Sequence, residues 1–176
     1  KTLTYHEATP GHHHQIAHSL ENDDLTIYRR FGYGTSAFSE GWALYAERLS
    51  LEAGLAPDLY DELGILQSEI FRSVRLVVDT GMHYKKWTRE EAIDYMKDMT
   101  GMSDTECRVE IERYIVWPGQ ALSYKVGMIK ILELRERAME QLGEKFSIKD
   151  FHSAVLDNGN PPLFIVEQMV DEMIAR

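Results

Sequence analysis

Apolar positions along this chain recur at three- and four-residue spacing, and the alternation expected of strands is almost absent. The clearest run starts at Asp58 after Pro57. Leu59, Leu63, Leu66, Ile70, Val74 and Val77 keep the helical spacing and predict a long helix to about Thr80, interrupted by Gly81. A helix is predicted over residues 12–21, with Thr9-Pro10 at its start, and another from Ser36 to Ala53, with Gly54 as its stop. Residues 22–35, ending in Phe31-Gly32-Tyr33-Gly34-Thr35, read as a loop. Thr88-Arg89-Glu90-Glu91 and Ser103-Asp104-Thr105-Glu106 are capping-box patterns opening helices to about Met99 and Val116. Pro118 opens what reads as the longest helix, to Leu142 before Gly143. A short helix starts at Ser147 or Asp150 and ends at Leu156. Asn158-Gly159-Asn160 forms a turn, and Pro161-Pro162 leads into a terminal helix.

These elements predict an all-α protein of about eight helices over residues 1–176, with no internal repeat or linker to divide it. The length of 176 residues supports a single hydrophobic core. The apolar fraction of 44% and charged fraction of 27% are those of a globular domain. No apolar run reaches the roughly 18 residues of a membrane helix. A formal net charge of −10 argues against nucleic acid and anionic membrane as partners, since both call for basic patches. The single Cys107 excludes an internal disulfide framework and a cysteine-based zinc cluster. The chain opens Lys1-Thr2-Leu3 without an initiator Met and reads as part of a longer protein, which leaves cytoplasmic and exported locations both open.

Chemistry concentrates near the start. Four of the seven histidines lie between His6 and His14, beside Glu7. A zinc hydrolase site needs neutral imidazoles, often a carboxylate, an open coordination position for water, and a nearby carboxylate base. The short H-E-x-x-H form places two rings on one helical face, but here Pro10 stands four residues after His6. On a straight helix His12 would sit about 120° around from His6, and His13 about 10 Å further along. Pro10 disfavours helix at Thr9, so Thr9-Pro10-Gly11 must bend to bring either His12 or His13 back to His6, with Gly11 permitting an unusual backbone. His14 and His18 read as bystanders.

The second part of the site lies in Glu40-Gly41-Trp42-Ala43-Leu44-Tyr45-Ala46-Glu47. Glu40 and Glu47 are seven apart and share a helical face. Glu47 is placed to accept a hydrogen bond from a ligand histidine, and Gly41 to let this helix approach the histidine helix. Trp42, Tyr45 and Leu49 supply packing. The stretch resembles the N-E-G-F-A-x-Y-x-E helix of aminopeptidase N-like gluzincins, whose first glutamate is the third zinc ligand. That resemblance implies the role for Glu40. Its 28-residue distance from His12 is closer to the spacing in thimet-oligopeptidase-like enzymes.

Further polar clusters follow: Arg75 and Asp79 as a helical pair, Asp79-Thr80-Gly81-Met82-His83, Arg113-Tyr114, Pro118 to Gly127, and Phe151-His152. H-E-A-x-P-G-H-H, E-G-W-A-L-Y-x-E, D-T-G-x-H, R-Y-x-x-x-P-G-Q-A-L-S-Y-K-x-G and F-H-x-x-x-L-x-x-G occur in this order. Together they resemble the domain-of-unknown-function 885 family, over nearly the whole chain from His6 to Pro162. The resemblance implies a mostly helical, zincin-like bacterial protein of which this chain is the C-terminal part. It implies a zinc-dependent peptidase acting on a peptide or small amide. In that reading Zn2+ is held by His6, His12 and Glu40, with Glu7 as general base. Tyr124 and His83 are the candidates for stabilising the oxyanion, and Arg113 and Lys125, with Arg75, for binding a substrate carboxylate. His152 and the Arg75–Asp79 pair read more simply as structural. The competing readings are a non-catalytic binding or scaffold protein on a degenerate peptidase fold, and a hydrolase of non-peptide amides.

Overall fold

The computed structural model describes residues 1–176 except Tyr33, which lies in the stretch read above as a loop. The described residues form helices and turns and no strand. In chain order the helices are α1 (Thr2–Glu7), α2 (His12–Glu21), α3 (Ile27–Phe31), α4 (Ser36–Glu52), α5 (Leu59–His83), α6 (Arg89–Thr100), α7 (Asp104–Val116), α8 (Ser123–Leu142), α9 (Ile148–Leu156) and α10 (Leu163–Ile174). Eight of them have nine residues or more, as the periodicity predicts.

The helix starts follow their caps. The Thr88 and Ser103 hydroxyls accept from the Glu91 and Glu106 amides, and each glutamate accepts in return from the cap's N–H. The Ser147 hydroxyl accepts from the Asp150 amide, so Ser147 is the start signal of α9. Four details depart from the sequence expectation. α1 is an additional short helix, and it carries His6. α3 interrupts the 22–35 stretch, capped by the Thr26 hydroxyl. α5 runs through Gly81, because that glycine makes room for the Trp87 ring: a Cβ there would lie 2.5 Å from it. Pro118 opens a turn, with Gly119 at φ +82, and the helix proper waits until Ser123. The longest helix is therefore α5, with 25 residues.

Two apolar clusters hold the helices together. In the first, Phe38, Trp42, Leu44 and Tyr45 of α4 pack against Met128, Ile131 and Leu134 of α8, Phe151 and Val155 of α9, and Val166 and Val170 of α10. Each such large side chain contributes about 1.5–3 kcal/mol by leaving water. The second joins Val74, Val78 and Met82 of α5 to Ala92, Ile93 and Met96 of α6 and to Cys107, Ile111 and Tyr114 of α7. α4 is the central helix, with Gly41 through Glu47 buried without a break. Gly41 serves a different approach from the one expected. A Cβ on it would lie 2.4 Å from the Gly127 Cα, and one on Gly127 would lie 1.8 Å from the Ala37 carbonyl oxygen. The two glycines bring α4 and α8 together, not α4 and the histidine helix.

The apolar stripe of α5 is likewise not its buried face. Val74 is buried, but Leu59, Leu63, Leu66, Ile70 and Val77 are exposed. At 100° per residue the buried positions Ile65, Val74, Arg75, Val78, Asp79 and Met82 centre roughly 140° away from that stripe. α5 thus turns Arg75 and Asp79 inward.

Candidate metal centre

The site is built where α1 stops. Residues 8–11 turn the chain back, with a cis Thr9–Pro10 peptide, before His12 opens α2. The His14 amide donates to the Ala8 carbonyl at 3.3 Å and the Gln15 amide to the Gly11 carbonyl at 3.1 Å. The Trp42 indole N–H donates to the Pro10 carbonyl at 2.9 Å, tying the turn to α4. Gly11 stands at φ −76 and ψ −135, outside the ordinary helical and extended ranges, as the expected unusual backbone requires. A Cβ on Gly11 would sit 1.8 Å from the His6 carbonyl oxygen and 2.4 Å from that of Tyr5. Only glycine lets the start of α2 rest on the end of α1.

This turn supplies the bend that Pro10 and the i+6 spacing demand. His6 and His12 meet edge to face, with ring centroids 4.8 Å apart at 85°. Glu40 reaches both from α4: its Oε2 is 3.1 Å from His12 Nε2 and 3.4 Å from His6 Nε2. One ligand atom from each of His6, His12 and Glu40 lies within 4.8 Å of the others. Atoms bound tetrahedrally at zinc's roughly 2.0–2.2 Å lie about 3.4 Å apart. The two imidazole–carboxylate distances, 3.1 and 3.4 Å, are close to that spacing. Two imidazoles and one carboxylate leave a fourth position free. His6 is buried, while His12 and Glu40 are half-buried, so the centre opens on one side.

His6 Nδ1 donates to Glu47 Oε1 at 2.7 Å, with both side chains only 3% exposed. This bond fixes the tautomer that turns Nε2 towards Glu40 and His12. Burial alone would lower the His6 pKa, but hydrogen bonding to Glu40 and Glu47 raises it to about 9. Burial likewise pushes Glu40 up, yet the bonds from His12 and His6 bring it down to about 2. His6 and Glu40 thus each favour the charged form of the other.

The other residues singled out in the sequence are dispersed. His13 is exposed beside His12. Glu7, the last residue of α1, is exposed next to His6. The Tyr124 ring of α8 lies nearly parallel to that of His6, centroids 6.1 Å apart at 21°. His83 ends α5, and its Nε2 lies 3.0 Å from the Tyr114 carbonyl oxygen. The Lys125 ammonium donates to Glu69 at 2.7 Å. Arg113 is exposed, 3.2 Å from Glu110. Arg75 and Asp79 form no ion pair among the described residues. Asp79 accepts from the Gly119 amide at 3.1 Å, and Arg75 donates to the Gln120 side chain at 3.2 Å. His18 pairs with Asp157 on the surface at 2.7 Å. His152 bonds the Tyr45 hydroxyl at 2.8 Å beneath Trp42, and burial lowers its pKa to about 4, which keeps it neutral and structural. One neighbour escaped the sequence reading. Arg72, three residues before Arg75, places its guanidinium 4.7 Å from the Tyr124 ring centre. The signal was two arginines at i,i+3 on a helix, a like-charged arrangement that calls for an anion.

No functionally curated protein matches the chain. It is similar to the crystal structure of the putative lipoprotein from Colwellia psychrerythraea, with a TM-score of 0.94 and 52% identity over 99% of this chain. It is also similar to a putative lipoprotein of unknown function from Shewanella oneidensis, with a TM-score of 0.86 and 29% identity over 96% of this chain. The chain spans 30% of the length of each. No helix among the described residues is long and apolar enough to cross a membrane. Residues 1–170 match the model of the bacterial proteins of unknown function called DUF885, and the chain belongs to that family.

Proposed function

We propose that this chain carries the metal centre of a zinc-dependent peptidase, completed by the rest of a longer protein. The observation that carries the proposal is the convergence of His6, His12 and Glu40, with His6 held by a buried carboxylate behind it. Two nitrogen donors, one oxygen donor and a free position suit a catalytic zinc site. A zinc ion held there would polarise a water molecule and the scissile carbonyl. Glu7, next in sequence to a ligand and exposed, takes the water proton and returns it to the leaving amine. Tyr124, stacked along His6, donates to the oxygen that gains charge in the transition state. His83 has no part in this scheme, its imidazole being committed to the Tyr114 carbonyl.

The printed names of the two solved relatives support an exported, lipid-anchored parent protein acting in the cell envelope. The test is hydrolysis of a mixed peptide library by the full-length protein, with and without a chelator, alongside metal analysis. We expect chelator-sensitive cleavage, restored by zinc. His6→Ala and Glu40→Ala should lose the metal, and Glu7→Gln should keep it without turnover. Unchanged metal content in both ligand variants would remove the site, and full activity of Glu7→Gln would remove Glu7 from the chemistry.

A further inference from the structure

Cations near the metal centre fall into two groups. Lys125 and Arg113 each have a carboxylate partner, Glu69 and Glu110. Arg72 and Arg75 have none within ion-pair distance among the described residues, although both lie on the side of α5 turned towards the centre. Arg75 is 1% exposed, its guanidinium lodged among rings: 4.2 Å from the centre of Tyr124, 5.1 Å from Tyr114 and 5.5 Å from Phe71. Among the described residues its polar contact is the neutral Gln120 side chain, and its Nε is buried without a partner. Arg72 is half-buried, 4.9 Å from Phe71 and 4.7 Å from Tyr124, and its Nε is also buried and unpaired. Aromatic faces soften the cost of a buried cation but do not replace a counter-ion.

The shared neighbour of these guanidinium groups is Tyr124, whose ring lies along the ligand His6. Two uncompensated guanidinium groups one aromatic ring away from a hydrolytic centre define a place for an anion that arrives with the substrate. Arginine suits a carboxylate because its planar fork matches the two oxygens. We infer that Arg72, backed by Arg75, binds the free C-terminal carboxylate of a peptide, so that the centre cuts near the C-terminal end of its substrate. Arg72, the more accessible of the two, makes the contact. Arg75 positions Tyr124 and adds its field. This inference rests on the peptidase reading for the word "cuts", but the anion subsite itself does not depend on turnover.

The test uses full-length, zinc-loaded Glu7→Gln protein and calorimetric titration with three N-acetylated tripeptides of equal length: a free acid, its C-terminal amide, and an amide with an internal glutamate. The free acid should bind at least tenfold more tightly than either amide. Arg72→Gln should remove that difference while leaving zinc content and melting temperature unchanged, and Arg72→Lys should restore part of it. Equal binding of the three peptides, or no binding of any, overturns the inference. Binding of the glutamate amide as tightly as the free acid overturns it too, because the subsite would then read side chains. Failure of the peptidase reading shows separately, as absence of cleavage of all three by the unsubstituted protein.

Discussion

Loading the metal centre should release a proton, and the geometry sets the amount. In the metal-free centre His6 is hydrogen-bonded at both ring nitrogens to carboxylates, Glu47 at 2.7 Å and Glu40 at 3.4 Å, and its pKa is raised to about 9. At pH 7, roughly two units lower, His6 is protonated in all but about one molecule in a hundred. A ligand imidazole must be neutral at the coordinating nitrogen, so metal entry displaces that proton. About one proton should leave per ion at pH 7. The apparent affinity should rise tenfold, about 1.4 kcal/mol, for each pH unit until about pH 9, and then level off. Zinc titration calorimetry in buffers of different ionisation heat measures the count directly. Glu47→Gln removes one of the two charges that hold the proton, so the count at pH 7 should fall. A release near zero in the unsubstituted protein, or an affinity flat between pH 7 and 9, would refute the reasoning. An unchanged count in Glu47→Gln would break the link to Glu47.

The same pair makes the stability of the metal-free protein depend on pH. The raised His6 pKa stabilises the fold fully below its ordinary value near 6.5 and ceases to do so as the pH climbs through about 9. The lowered Glu40 pKa stabilises above about 4.5 and is lost as the pH falls through about 2. Thermal melts without metal should therefore decline on both flanks, and a melting point that holds steady from pH 6.5 to 9 would contradict the His6 assignment. Gly11→Ala should cost about 1–3 kcal/mol or more and lower zinc content, because its Cβ would meet two backbone carbonyls that cannot rotate away; metal analysis and urea unfolding check it. Gly127→Ala should cost a similar amount by prising α8 from α4, since its Cβ would meet the Ala37 carbonyl oxygen. A variant as stable as the parent would show that the two helices can separate freely. His83→Ala should lose about 1 kcal/mol of stability with its hydrogen bond to Tyr114. Its zinc content should be intact and kcat/KM within about twofold of the parent, and a hundredfold fall in kcat/KM would return His83 to the chemistry.

How much of this was legible follows from what each residue answers to. Capping boxes, Gly and Pro stops and three-to-four spacing are local signals, and the helices they announce stand within a few residues of where they were read. The metal group was legible because its chemistry restricts residue type. His6, a displaced second histidine and a helical glutamate form a group that could hold a metal ion, and Pro10 stated in advance that the chain must bend between them. The pattern left His12 and His13 open; the turn pinned by Trp42 brings His12 to Glu40 and leaves His13 exposed. What the sequence concealed was direction. A glycine announces a close approach without naming the neighbour, so Gly41 was read against the histidine helix when it faces Gly127, and Gly11, read as backbone freedom, also makes way for the His6 carbonyl. An apolar stripe announces a face that avoids water, yet on α5 the packed face lies to one side of it, where Ile65, Val74, Val78 and Met82 flank Arg75 and Asp79. That rotation explains the remaining oversight. Arg75 and Asp79 read as a helical ion pair from their spacing, but α5 turns them inward, parts them between Gln120 and Gly119, and brings Arg72 beside Tyr124. Two arginines without a carboxylate are costly to hold inside a protein. Both share the Tyr124 ring that lies along His6, which is why the inferred carboxylate subsite stands beside the candidate centre.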